Sequence, residues 1–449
     1  MKFEEGSNLN SIGISAFRSA AVESIILPKK LVTLSNSAFA NCTRLKNVTF
    51  EDESLVTHLV AQTFMGCVSL ETFLVPKGIT DLDPTSFYKC TKLTKFEVDN
   101  SNEKYESIDG VVYSKEPKSL ALFPPGKEMA VIADGTVNIS DNAFYGCSIL
   151  SSLDFGTSEI ESIGELTFFE CTGLSSLVVP KTVVRIFARA FEGCVSMTSI
   201  EFVKESKLRS IGSSTFLGCG NLTAVKFPPD SLLERIEDST FEDCVLLSDF
   251  AFPSNVGSIG ASAFKNCKSL RTVILNETKV SEISDEAFRG CQKLATLVLP
   301  SRPHSIGNMA FEGAPIKELH VPSDVEALGI GCFSQCKSLK KVYYCGDAKF
   351  DNNLIFSGSS DIIAYTLRSY PHPSFCGLPT LKMMKRCGVF PTVEFTSNLA
   401  EAKVPAGFCA AIALSESDED ESDQAQKGLS LVGAYSGEQR NPATSQRAL

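Results

Sequence analysis

Tryptophan is absent from this 449-residue chain, and histidine occurs four times, at His58, His304, His320 and His372, far apart from one another. Imidazoles so scattered, with no Cys-x-x-Cys pair beside them, do not make a zinc site. The chain also lacks a Gly-x-Ser-x-Gly elbow, a Walker-type phosphate loop, a His-Glu-x-x-His pair and a dinucleotide-binding glycine pattern. No catalysis, metal or cofactor is therefore expected. The longest apolar run outside the patterned region, Phe408 to Leu414, is seven residues, against about twenty for a bilayer-crossing helix. Membrane insertion is not expected either. Basic residues are outnumbered, 42 to 53, giving a net charge of −11. No Lys/Arg stripe is evident along the sequence, so the electrostatic footprint of a nucleic-acid binder is missing. Six of the negative charges, Glu416, Asp418, Glu419, Asp420, Glu421 and Asp423, sit between Ser415 and Asp423, leaving about −5 for the rest. The start, Met1-Lys2-Phe3-Glu4-Glu5-Gly6, shows no signal-peptide pattern, which by itself points to the cytoplasm.

What the chain does have is a phenylalanine that recurs thirteen times from Phe17 to Phe333 at intervals of 22 to 25 residues, with one longer jump from Phe87 to Phe144. In most copies a cysteine follows three places on, as in Phe39/Cys42, Phe64/Cys67 and Phe264/Cys267. Two copies, at Phe17 and Phe311, carry Ala20 and Ala314 in its place. A fixed period of this length means a solenoid, whose size is not limited by one globular core. Within each unit, a segment such as Leu270-Arg271-Thr272-Val273-Ile274-Leu275 alternates in the manner of a short strand, with Val273 and Leu275 inward and Ile274 outward. One such strand is too short to stand alone, so its equivalents must stack into a parallel sheet. Ile-Gly before the Phe marks a tight corner, and Pro76, Pro180, Pro300 and Pro322 end their strands.

The run Leu-x-x-Leu-x-Leu/Phe/Val, then Pro, then Ile-Gly-x-x-Ala-Phe-x-x-Cys, closely resembles the BspA-like, or Treponema pallidum-type, leucine-rich repeat. The resemblance covers residues 1–345, about 13 to 14 units, and residues 99–131 resemble the hairpin-bearing variant unit of that family. It implies an α/β-type repeat solenoid, a leucine-rich repeat horseshoe or arc with a parallel β-sheet on its concave face, long enough at about 4.8 Å per unit to span roughly 60–70 Å. It also implies a non-enzymatic, monomeric protein that binds another protein as a surface antigen or adhesin, which would place it at the cell surface. An intracellular interaction scaffold with a regulatory acidic tail is the alternative.

Eleven cysteines share one repeat position where alanine is tolerated, which reads as a small buried side chain in reduced form. Neighbouring units would hold equivalent atoms about 4.8 Å apart, too far for a ladder of disulfides without distortion. If any pair forms, Cys345 with Cys376 is the better candidate. A protein partner would meet the outward strand positions, among which Val178, Ala251, Ile274, Val298, His320 and Tyr343 form an apolar and aromatic series. After Tyr344 the period breaks, and residues 346–392 read as a C-terminal cap. Residues 393–449 read as a disordered acidic and polar tail, in which Ser415, Ser417 and Ser422 suit an acid-directed kinase.

Overall fold

The structure is a computed structural model that describes residues 1–384 apart from Glu5. The expected tail, with Ser415, Ser417 and Ser422, lies outside the described residues, as does the end of the expected cap. The chain winds into a β-solenoid of about 15 turns, here called coils. Each coil contributes two parallel strands, except that of Phe241, which lacks the longer one. A short one, such as Ser258–Ile259, pairs with Glu282–Ile283 of the next coil. A longer one, such as Thr272–Ile274, pairs with Thr296–Val298. In the longer strand Val273 is fully buried and Ile274 exposed, which is the alternation a sheet with one wet face requires.

Between the two strands lies the phenylalanine turn, and here the α of the expected α/β class is not seen among the described residues. The one helix there is a single 3-10 turn, Pro84–Phe87. The reason is a pair of left-handed residues around the repeat phenylalanines other than Phe87, such as Ser262 (φ 56°) and Asn266 (φ 60°) beside Phe264. They turn every second peptide plane along the solenoid axis, where a right-handed helix would point it back at its own segment. Ser262, Phe264 and Asn266 donate to the carbonyls of Asp285, Ala287 and Arg289 in the next coil, at 2.9, 2.7 and 2.8 Å. The carbonyls of Ala261, Ala263 and Lys265 accept from Ser239, Phe241 and Asp243 in the coil before, at 2.8, 2.8 and 2.9 Å. The backbone polar groups of the turn are thus satisfied between coils.

The phenylalanine rings stack in two columns, Phe17 to Phe87 before the hairpin and Phe123 to Phe333 after it. Phe264, Phe288, Phe311 and Phe333 follow at 5.1, 5.1 and 5.3 Å with interplanar angles of 5°, 5° and 2°. The ladder cysteines do more than fill space. Each thiol lies on the phenylalanine carbonyl of the preceding coil, with Cys42, Cys67 and Cys267 at 3.0, 3.3 and 3.2 Å from Phe17, Phe39 and Phe241. All eleven are free and buried. Burial pushes the Cys267 thiol well above its ordinary value, so it is a hydrogen-bond donor and not a nucleophile.

Glycine in the Ile-Gly corner answers a close approach. A Cβ on Gly260 would stand 2.6 Å from the backbone nitrogen of Asp238 in the coil before. The carboxylate of Asp238 in turn accepts from the Ala261 N–H at 2.7 Å. Gly13, in the first coil, has nothing within 4 Å.

The long jump in the phenylalanine series is a hairpin. Strands Tyr105–Ile108 and Val111–Ser114 pair antiparallel across Asp109-Gly110, both left-handed, as a two-residue hairpin turn demands. The next strand, Ser119–Leu122, returns to the parallel ladder by pairing with Asn138–Ile139. This insert divides the interior. Val112, Tyr105 and Leu122 belong to the core of the earlier coils, whereas Val111, Tyr113 and Leu120 belong to that of the later ones.

At the other end, Lys341–Tyr344 pairs parallel with Ile363–Leu367, and that strand with Leu378–Met384. A short antiparallel pairing with Ser374–Phe375 finishes the sheet. Tyr344, Tyr370 and Phe375 are buried beneath it. Cys376 is a free, buried thiol, pushed up to about 12 by burial, so the expected bond between Cys345 and Cys376 is not formed. The turn Cys376-Gly377 directs the thiol into the core instead.

Candidate functional site

The outward positions of the longer strands form a row along the sheet, and register brings the expected residues into it in unequal measure. Ile274 lies opposite Val298, and His320 opposite Tyr343. Val178, 58% exposed, stands apart, because the next two places are Glu201 and Lys226, an ion pair at 3.3 Å. Ala251 is exposed but sits on no strand, since the sheet is interrupted between Ala224–Lys226 and Thr272–Ile274. There the rings of Phe250 and Phe252 both pack on Phe264, at 4.9 and 5.5 Å, and so leave no regular inward–outward alternation.

Toward the C-terminal end the row becomes aromatic. His320, Tyr343 and Tyr365 stack face to face, with centroids 4.7 and 5.1 Å apart. Leu381 follows in register with Tyr365. Tyr365 and Leu381 lie past the last recognisable repeat, which is why the period alone did not reveal them. The exposed members are Ile274 at 39% and Leu381 at 43%, joined by Ile363 at 38% on the adjacent outward column. Tyr343 is buried at 8% and His320 half-buried. Burial holds the His320 imidazole below its ordinary value, with Glu318 pulling the other way. Glu318 is itself paired with Lys341 at 2.9 Å.

A second feature borders this row. Lys268, Arg271, Lys293, Lys317, Lys337 and Lys340 occupy the residues that lead into the long strands of four successive coils, and all are exposed. The backbone fixes their alignment: Lys340 donates to the Lys317 carbonyl at 3.0 Å, and Ala295 to that of Arg271 at 3.0 Å. Two earlier coils carry Ser196, Thr198, Asn221 and Thr223 there. Of the six cations, Lys340 is ion-paired among the described residues, at 3.6 Å to Asp361. The sequence does contain a basic stripe after all. It runs across the coils, each cation about a repeat apart, and so does not show as a run along the chain.

Among the described residues no group of three His, Cys, Asp or Glu side chains could hold a metal ion, and no helix is long and apolar enough to cross a membrane. The site is thus a surface: an apolar and aromatic row with a cationic border.

A sequence model of the BspA type leucine-rich repeat region matches residues 10–115, 137–271 and 234–363, in 6 copies. No curated protein sequence matches the chain. Among solved structures, a leucine-rich repeat protein from Eubacterium ventriosum aligns over 64% of this chain and 82% of its own, with 23% identity and a TM-score of 0.55. One from Bacteroides ovatus aligns over 75% and 82%, with 22% identity and a TM-score of 0.49. The T. pallidum leucine-rich repeat protein aligns over 49% and 82%, at 24% identity and a TM-score of 0.31. At such identities the first of these carries the fold alone. With the repeat model matched over most of the chain, the protein belongs to the BspA-type leucine-rich repeat family.

Proposed function

We propose that this chain is a non-enzymatic protein-binding module of the surface-antigen or adhesin kind, which holds its partner on the outward, concave face of the long-strand sheet. The observation that carries the reading is the row Ile274, Val298, His320, Tyr343, Tyr365 and Leu381, an apolar and aromatic series on successive coils, with Ile274 in register with Val298 and His320, Tyr343, Tyr365 and Leu381 in register with one another. Aromatic side chains with an exposed apolar margin are the usual anchors of protein interfaces. Val178 and Ala251 lie on earlier coils, apart from this row, and would offer the partner secondary contacts. The family to which the chain belongs supports the binding role.

The test is a photo-crosslinking amino acid at position 274, compared with one at Glu282 on the short-strand side, in the source cells. One protein labelled from 274 and not from 282 is the expected result. Equal labelling from both positions, or none from 274, overturns the reading. Protease shaving of intact cells, with a cytosolic marker kept protected, addresses the surface role: release of peptides spanning Tyr343 supports it, and release after lysis alone replaces it with an intracellular scaffold.

A further inference from the structure

We infer that the partner engages this face through an acidic segment that carries apolar side chains, bound along the C-terminal coils with its carboxylates on the cationic stripe and its apolar groups on the row. The inference rests on the reading above and names the chemistry of what that reading binds. Three observations support it. First, the stripe is a coherent local charge in a chain whose total is −11, and exposed charges act over a screening length of about 8–10 Å, so the local sign governs what docks there. Secondly, five of its six cations have no carboxylate partner among the described residues. Lys340 and Lys341, by contrast, are held by Asp361 and Glu318, the acidic groups packed against this end of the sheet.

Thirdly, the spacing suits an extended ligand. Arg271 and Ile274 lie on one strand segment three residues apart, and the same offset relates Lys317 to His320 and Lys340 to Tyr343. Successive coils are about 4.8 Å apart, so four of them extend over roughly 14 Å, the reach of four or five extended residues. A chain running across the coils would place side chains alternately over stripe and row. One that alternates acidic with apolar residues satisfies both at once. A lysine-rich segment would be repelled, and a wholly apolar one would leave the cations without counter-charge.

The experiment uses the full chain and a short fluorescein-labelled peptide in which Asp and Glu alternate with Leu and Phe, followed by fluorescence anisotropy. Binding is expected, weakened about tenfold or more by moving from low to high salt, and lost in the variant Lys268→Ser, Arg271→Ser, Lys293→Ser, Lys317→Ser. These side chains are exposed, and an unchanged thermal melt of the variant confirms its fold. Equal binding of the lysine counterpart peptide, or undiminished binding by the variant, overturns the inference. So does binding that appears only after Glu416, Asp418, Glu419, Asp420, Glu421 and Asp423 are neutralised, which would assign the surface to this chain's own acidic run. Labelling from position 274 that persists in the stripe variant would leave the protein-binding reading standing while this one falls. Its absence in the parent chain removes both.

Discussion

The coils before the hairpin and those after it are built from one repeat, yet they differ in what bounds them and in what they show to solvent. The earlier core is closed on one side by Val112 and Leu122, while its first ring, Phe17, is half-buried with Phe39 stacked at 5.1 Å on one face. The later core begins at Val111 and Tyr113 and ends under Tyr344, Tyr370 and Phe375. Outward positions of the earlier coils mix Thr49, Leu74 and Glu97, whereas the later ones converge on the apolar row and its cationic border. A repeat therefore fixes the interior, and position within the array decides how strongly each interior residue is constrained and what its surface can do.

The sharpest test of that difference is to delete one ring in each array. Phe264→Ala removes a fully buried ring between two stacked neighbours and should cost about 3–5 kcal/mol in denaturant unfolding. Phe17→Ala should cost about half of that or less, because one face of the ring already meets solvent. Equal costs would show that the end coil is as enclosed as the middle.

A smaller contrast lies in the corner glycines. Gly260→Ala drives a methyl against the backbone of Asp238 and should destabilise by about 1–3 kcal/mol. Gly13→Ala, with nothing within 4 Å, should stay within about 0.5 kcal/mol of the parent. A matching loss at both positions would mean that the glycine serves the turn itself and not the approach of the coil before it.

The smallest effect concerns the thiol. Cys267→Ala gives up a buried sulfur and its contact with the Phe241 carbonyl, which still accepts from the Cys244 N–H at 3.2 Å. A loss of about 1 kcal/mol is expected. Ala314→Cys, which would supply the missing donor to Phe288, should recover a few tenths of a kcal/mol. A neutral Cys267→Ala would return the cysteine to a space-filling role.

The spacing of Phe, Gly and Cys was enough to predict a solenoid and its strands, because burial on a periodic scaffold leaves a periodic record, whereas the hairpin within residues 99–131 was legible only through the family resemblance. The form of the turn was harder to see. Phe-x-x-Cys has the three-residue spacing of a helix face, and it was the left-handed residue two places after each phenylalanine that decided otherwise. Its trace was present as Asn41, Gly66, Gly146, Gly193, Gly218, Asn266, Gly290 and Gly313, all with positive φ. The basic stripe escaped notice for a different reason. Net charge averages over the chain, and residues a repeat apart become neighbours only once the coils are stacked. Tyr365 and Leu381 fell where the period ends, so no repeat position announced them.

The peptide planes of the phenylalanine turn carry one further consequence. In each coil from that of Phe168 to that of Phe311 the three planes that accept from the coil before and donate to the coil after are oriented the same way, so their dipoles add along the stack just as those of a helix add along its axis. With three aligned peptides about every 4.8 Å, the density of dipoles approaches that of an α-helix, which aligns 3.6 in 5.4 Å. This edge of the molecule thus behaves as a long electrical rod without a helix in it. Its negative pole lies toward the coil of Phe144, beside the hairpin, and its positive pole lies toward the later coils, the end on which the lysine stripe stands.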